Sequence, residues 1–219
     1  IDVSMGGGPL VISHPLTIDA SGSPQPVTLS GGNMVQVLQV NGVTFTLNTL
    51  TIANGSAAFG GGLFNNGGGV TISNSTISNN VSTFIGGGIG NLNGMMSISN
   101  STIANNSAAY AGGIVNDSGT MTISQSTIAN NSATFDGGGI NNNFNGTMTI
   151  SQSTVANNSA FDGGGIINIS FPSGTMTISN STIANNSATG NSGGIENYQS
   201  AMTIGNSTIA NNTSTLLGG

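Results

Sequence analysis

The chain has 219 residues, 36 of them glycine, and contains no lysine, arginine, cysteine or tryptophan. Its six acidic residues give a formal net charge of -6. Proteins bind nucleic acids and anionic membrane surfaces through lysine and arginine, so the composition excludes both partners. Without cysteine there are neither disulfides nor thiolate metal ligands. No apolar run is long enough to span a bilayer, so direct membrane insertion is not expected.

Residues 1–46 form the least regular part of the chain. Their short apolar segments, Leu16–Ala20, Val27–Gly31 and Val43–Leu47, predict irregular first coils of the same domain as the rest. His14, the only histidine, has no carboxylate near it in sequence, and we interpret it as a surface or structural residue. The chain begins at Ile1 rather than Met, which is typical of a processed secreted chain or of a trimmed one. We expect an extracellular location.

Residues 47–219 are organised by three apolar motifs that recur about every 26 residues. The first, Ser-Thr-Ile-Ala-Asn-Asn-Ser-Ala and its variants, has its central aliphatic residue at Ile52, Ile77, Ile103, Ile128, Val155, Ile183 and Ile209. The second, two or three glycines and an aliphatic residue, ends at Leu63, Ile89, Ile114, Ile140, Ile166 and Ile195. The third, Met-Thr-Ile and its variants, ends at Ile72, Ile98, Ile123, Ile150, Ile178 and Ile204.

Three short segments rich in Thr, Ile and Val, separated by Gly and Asn, predict three strands and three turns per coil. A helical solenoid needs ten or so residues of helical periodicity between breakers, and no segment supplies them. We therefore predict one all-β domain over residues 1–219, a parallel β-solenoid. Strand alternation directs the three aliphatic columns inward, together with a fourth column. The members of that fourth column are Val70, Met96, Met121, Met148, Met176 and Met202.

Six asparagines each follow a repeat aliphatic residue of the first motif by three positions. These residues are Asn80, Asn106, Asn131, Asn158, Asn186 and Asn212. Because neighbouring coils lie about 4.8 Å apart, equivalent amides are close enough to bond to one another up the stack. The spacing predicts an asparagine ladder that stabilises turns and takes no part in chemistry.

The alternation of Gly-Gly-Gly-Ile (Gly86–Ile89, Gly137–Ile140) with Ile-X-X-Asn (Ile103–Asn106, Ile128–Asn131) resembles the paired repeats of bacterial surface β-helix proteins of the polymorphic outer-membrane-protein type. The resemblance covers roughly residues 48–219, with Ile or Val where the family usually has Phe in the second motif. It implies a right-handed parallel β-helix that is exported and serves as a surface scaffold or adhesin. It does not identify a ligand.

The enzyme alternative is a β-helix that degrades polysaccharides. A lyase needs a cationic or metal-held group and a base, usually Arg or Lys, and the chain has neither residue. A hydrolase needs two carboxylates across a cleft. Asp136 and Asp162 precede their glycines at the same position in successive coils, so they could pair or hold Ca²⁺ weakly. We interpret them as a solvated turn position and assign no catalytic residue and no cofactor.

Hydroxyl side chains form outward files that suit binding to a flat surface. They are Thr71 and Ser73, Thr122 and Ser124, Thr149 and Ser151, and Thr177 and Ser179. A lattice of hydroxyls could match ice, and the same face could bind carbohydrate, although any soluble solenoid carries small polar residues outside. Glycans and the surfaces of other cells are therefore open as partners.

The two ends of the chain suggest self-association. Gly218-Gly219 stands where a further Gly-Gly-Ile motif would begin. If a second copy followed the first, its Ile1-Asp2 would continue this motif, and Ile1 would stand one repeat beyond Ile195 of the first copy. Copies stacked in this way would form a filament through unpaired strand edges.

Overall fold

In the computed structural model, which describes residues 1–169 and 173–219, the chain winds as a parallel β-solenoid of about eight coils. Every strand pairs in parallel with the equivalent strand one coil before or after it. Within the described ranges, the helical part is one turn of 3-10 helix, Ser4–Gly6. The predicted all-β solenoid is confirmed.

Two sheets carry the glycine-led and methionine-led motifs. Sheet I consists of Leu10–Ile12, Leu38–Asn41, Leu63–Asn66, Ile89–Leu92, Ile114–Asp117, Ile140–Asn143, Ile166–Ile169 and Ile195–Asn197. Sheet II consists of Leu16–Asp19, Thr44–Asn48, Gly69–Ser73, Met95–Ser99, Thr120–Ser124, Thr147–Ser151, Thr175–Ser179 and Ala201–Gly205. Both start in the first coils, so residues 10–46 belong to the same sheets as the regular repeats.

The other two sheets carry the Ser-Thr-Ile-Ala-Asn-Asn-Ser-Ala motif. Sheet III consists of Thr28–Ser30, Thr51–Ala53, Thr76–Ser78, Thr102–Ala104, Thr127–Ala129, Thr154–Ala156, Thr182–Ala184 and Thr208–Ala210. Sheet IV consists of Ser56–Phe59, Val81–Ile85, Ser107–Ala108, Ser132–Ala133, Ser159–Ala160, Ser187–Ala188 and Thr213–Ser214. Each regular coil therefore has four strands, one more than the sequence pattern predicts. The additional strand is mostly two residues long, too short to show an alternating pattern.

The core consists of the four predicted columns. Met96 pairs with Val70 on one side and with Met121 on the other, and the same register continues to Met202. The isoleucines of sheets I, II and III are fully buried in the middle coils, as at Ile114 and Ile123. Each buried aliphatic side chain contributes roughly 1.5 to 3 kcal/mol.

The predicted asparagine ladder is confirmed, and the motif Asn-Asn explains its geometry. The first asparagine of each pair has a left-handed backbone, as at Asn130 with φ 56°, which turns the chain between sheets III and IV. The second points inward. Asn106 Nδ2 donates to Asn131 Oδ1 at 3.0 Å, and that oxygen also accepts the backbone N–H of Asn106 at 3.0 Å. The same bonds link Asn131 to Asn158.

A second asparagine ladder, which was not predicted from the sequence, lies in sheet I. Its members are Asn65, Asn91, Asn116, Asn142, Asn168 and Asn197, joined from Nδ2 to Oδ1 at 2.7–2.8 Å. Five of these amides also close the turn into sheet II, as where Asn116 Nδ2 donates to the carbonyl of Gly119; the five are Asn65, Asn91, Asn116, Asn142 and Asn197. The two ladders fix the coil spacing on both sides of the core, which makes the solenoid a rigid support for its surface.

Candidate functional site

An exposed file of aromatic rings lies beside sheet I, one ring per coil. Phe59, Phe84, Tyr110 and Phe135 each stand one or two positions before the first glycine of their coil. Neighbouring ring centroids are 5.6, 5.8 and 4.9 Å apart, and Phe161 follows at the same position in the next coil. Phe84 and Phe135 remain nearly half exposed. Rings at this spacing prefer each other's edges and faces, so the file forms a continuous apolar strip along the coil axis.

The opposite wall is the outward face of sheet I, which the glycine turn partly covers. Val115 and Asn141 point outward by strand alternation, yet both are almost fully buried. The turn residues Gly86 and Gly137 have φ of 68° and 69°. A Cβ on Gly86 would lie 2.9 Å from Val115, and one on Gly137 would lie 3.0 Å from Asn141. Glycine is therefore required for the turn to lie this close to the sheet.

Between these walls lie two adjoining cavities, which we call the aromatic groove. One, of about 320 Å³, is bounded mainly by Phe84, Tyr110, Asp117, Asp136, Asn141 and Phe144. The other, of about 210 Å³, extends toward Phe59, Phe64 and Leu92. Phe84, Ile85, Val115 and Asp117 line both, so the groove runs along the coil axis over several coils.

Carboxylates line the groove without a cationic residue to balance them, since the sequence contains no lysine or arginine. Burial raises the pKa of Asp117, and burial together with the charge of Asp162 raises the pKa of Asp136. Further along the same face, burial and the charges of Asp162 and Asp136 raise the pKa of Glu196. Each shift shows that the folded chain disfavours the ionised form.

One buried polar atom in the groove wall has no partner. Asn141 is 3% exposed, and its Oδ1 accepts no hydrogen bond from residues 1–169 or 173–219. Its neighbours in register are Val115 and Ile167, which offer only methyl groups on either side. A buried carbonyl oxygen without a donor is rare in folded proteins and often marks the place of a ligand or water.

The predicted metal pair is adjacent in space. Asp136 and Asp162 form a parallel bridge one coil apart, and the Asp162 carboxylate accepts the backbone N–H of Asn191. Among the described residues, no group of three or more His, Cys, Asp or Glu side chains is placed to hold a metal ion. Weak Ca²⁺ binding by Asp136 and Asp162 stays a prediction.

The hydroxyl files also occur as predicted, on the outward face of sheet II. Thr71, Ser97, Thr122 and Thr149 are in register and mostly exposed. His14 lies exposed in the first coil, where its Nδ1 contacts the hydroxyl of Ser13 at 3.2 Å. No helix in residues 1–169 and 173–219 is long and apolar enough to cross a membrane.

The structure places the proposed junction residues differently from the sequence prediction. The ammonium group of Ile1 donates to the carbonyl of Thr28 at 2.7 Å, and Asp2 pairs with Ser30. Both therefore lie at the edge of sheet III, whereas Ile195 lies in sheet I, so the column predicted for Ile1 is wrong. At the other end, Gly218 accepts the backbone N–H of Gly193, and Gly219 follows it. End-to-end association itself stays a prediction.

No protein-family model, curated protein or solved structure gives a significant match to this chain. The candidate site therefore rests on its own geometry. The groove was not predicted from the sequence, although a signal was present. An aromatic residue stands shortly before the glycines in five successive coils, at Phe59, Phe84, Tyr110, Phe135 and Phe161.

The uncompensated carboxylates predict an unusual dependence of stability on pH. A carboxyl group whose pKa is higher in the folded than in the unfolded chain favours folding when it is protonated. Asp117, Asp136 and Glu196 are of this kind, so the free energy of unfolding should rise as the pH falls from 7 through their raised values toward about 4. Asp2 and Asp19, whose pKa is lowered by hydrogen bonds, act oppositely, and mainly below the ordinary value of 3.8.

Urea denaturation at several pH values measures this dependence. We expect a higher midpoint at about pH 4 than at pH 7. Asp136→Asn should raise the midpoint at pH 7 and leave it nearly unchanged at pH 4, since it removes one disfavoured charge. An Asp136→Asn midpoint equal to that of the parent at pH 7 would contradict the assigned cause.

Proposed function

We propose that this chain is an extracellular, non-catalytic β-solenoid of adhesin type that binds an extended saccharide in the aromatic groove. The observation that supports the proposal is the aromatic file, which lies along the coil axis beside two adjoining cavities. Sugar rings have apolar C–H faces that pack on aromatic rings and hydroxyl groups that bond to amides and carboxylates. The groove offers both kinds of partner, with Asn141 and Asn143 beside the rings.

The repeat chemistry supports a role at the cell surface. The paired Gly-Gly-Gly-Ile and Ile-X-X-Asn motifs resemble those of bacterial surface β-helix proteins, and such a scaffold would be right-handed and exported. The ladder of this scaffold is held by hydrogen bonds between amides, as between Asn80 and Asn106, and uses no charged group. Such a scaffold would suit a role at the cell surface. A chain without lysine or arginine also offers no cleavage site to trypsin-like proteases.

Binding without turnover is favoured over polysaccharide cleavage by a lyase because of the composition of the chain. A lyase needs a cationic or metal-held group and a base, usually Arg or Lys. The chain contains no lysine or arginine, so neither residue stands beside the carboxylates of Asp117 and Asp136.

Calorimetry of the purified chain with neutral, acidic and amine-bearing oligosaccharides tests the proposal. We expect at least one class to bind, and Phe84→Ala combined with Tyr110→Ala to weaken it about tenfold or more, because each ring contact is worth about 1 kcal/mol. Tyr198→Ala, an exposed ring outside the groove, is the matched control and should have no effect. Absence of binding by every class, or release of new reducing ends that Asp136→Asn abolishes, would overturn the proposal.

A further inference from the structure

Two polar groups that line the larger cavity, the ionised carboxylates of Asp117 and Asp136, only accept hydrogen bonds, whereas Tyr110, Asn141 and Asn143 can also donate. Asp117 and Asp136 contribute carboxylates, and Asn141 contributes a buried carbonyl oxygen without a donor. Ser118 Oγ already donates to Asp117 Oδ1 at 3.1 Å, but the chain has no lysine or arginine to balance the charge of this carboxylate. A ligand that brings positive charge and several N–H donors would satisfy all three groups.

The aromatic wall restricts the form of that cation. Phe84 and Tyr110 present ring surface beside the two carboxylates, and a cation over a ring face is attracted by its negative π-system. A quaternary ammonium group would use the rings but has no N–H to offer Asn141. A primary ammonium group has three. The combination of ring, carboxylate and unpartnered carbonyl therefore excludes a quaternary ammonium group and is met by a primary ammonium group.

The carboxylates continue beyond the cavity along the coil axis. Asp136 and Asp162 are one coil apart, and Glu196 is close enough for both charges to raise its pKa. Glu196 also has a buried oxygen, Oε2, without a hydrogen-bond partner in residues 1–169 and 173–219. An acidic strip, which consists of Asp117, Asp136, Asp162 and Glu196, therefore runs parallel to the aromatic file. This arrangement suits a linear ligand with an ammonium group on successive units.

We propose that the aromatic groove binds a linear amino-sugar glycan whose amines are free, with sugar rings on the aromatic file and primary ammonium groups at Asp117, Asp136 and Asn141. This assignment rests on the proposed saccharide binding and names the class of sugar. A lysine-rich peptide offers the same ammonium group, but its flexible aliphatic stem presents no flat ring face to a file of four contacting aromatic rings.

Calorimetry with three matched tetrasaccharides tests the proposal: β-1,4-linked glucosamine, its N-acetylated form and the neutral glucose equivalent, at a pH where the amines are protonated. The glucosamine tetramer should bind about tenfold or more tightly than either other sugar, and added salt should weaken it. Asp136→Asn should remove most of that preference. Asp19→Asn, an exposed carboxylate in the first coils, should leave it unchanged. Thermal melting of each variant checks that the fold is retained.

The outcomes separate this proposal from the one on which it rests. Equal affinity for all three sugars, lost with Phe84→Ala and Tyr110→Ala, would overturn the ammonium assignment and leave saccharide binding intact. Tetralysine binding as tightly as the glucosamine tetramer, with the same loss on Asp136→Asn, would overturn the amino sugar as the ligand. No binding by any sugar would overturn both proposals.

Discussion

Replacing Asn131 with alanine is expected to lower the free energy of unfolding by about 3 kcal/mol. The side chain makes four hydrogen bonds, all in the buried ladder. Its Oδ1 accepts two from Asn106, and its Nδ2 donates to Asn158 Oδ1 at 3.0 Å and to the Ile103 carbonyl at 3.0 Å. Alanine would leave the backbone N–H of Asn106 buried without a partner and would remove the side-chain hydrogen bond to the Ile103 carbonyl. Equilibrium urea denaturation measures the loss.

The variant Asn131→Asp distinguishes the effect of lost hydrogen bonds on stability from the effect of lost side-chain volume. Asn131→Asp keeps the shape of the side chain but replaces its donor with a second oxygen, which would face the oxygens of Asn158 and Ile103. It should therefore destabilise at least as much as alanine at neutral pH, although it leaves no cavity. Asn145→Ala, an exposed amide in a turn, is the control and should change stability little. Equal stability of the parent and Asn131→Ala would rule out a structural role for the ladder.

The predicted ladder and core columns were accessible from the sequence because each depends on one residue type at one repeat position. Met121 and Asn131 recur in successive coils, and parallel stacking brings equal positions together. The fourth sheet was not accessible. Ser132–Ala133 is too short for an alternating pattern, and it pairs only because the neighbouring turns set its register.

The groove depends on how the glycine turn lies against sheet I, which no local pattern specifies. Strand alternation alone predicts that Asn141 faces solvent, yet the turn at Gly137 covers it. The position of Ile1 illustrates the same limit. Repeat arithmetic assigns it to the sheet I column, but the first sheet I strand is Leu10–Ile12, in register with Leu38, so Asp2 precedes it and pairs with Ser30 at the edge of sheet III.

The glycine turns should be as intolerant of substitution as the ladder, for a steric reason. Gly138 has no unusual φ, but a Cβ there would lie 2.4 Å from the carbonyl oxygens of both Gly164 and Ser159 in the next coil. Both contacts are to backbone that the solenoid holds in register, so no side chain can move aside. Gly138→Ala should cost about 3 kcal/mol or more, because relief requires the coils to separate.

Gly69 provides the matched control for Gly138, because a Cβ there meets only the methyl group of Thr44, at the ordinary contact distance of 3.7 Å. Its neighbours in register are Thr44 and Met95, so the strand already accepts side chains at this position. Gly69→Ala should leave stability unchanged or raise it by about 0.5 kcal/mol, since it restricts the unfolded chain. Urea midpoints of the two variants measure the contrast. Equal losses would show that glycine matters through backbone freedom rather than through the close approach of the coils, and a tolerated Gly138→Ala would show that neighbouring coils are not held at this spacing.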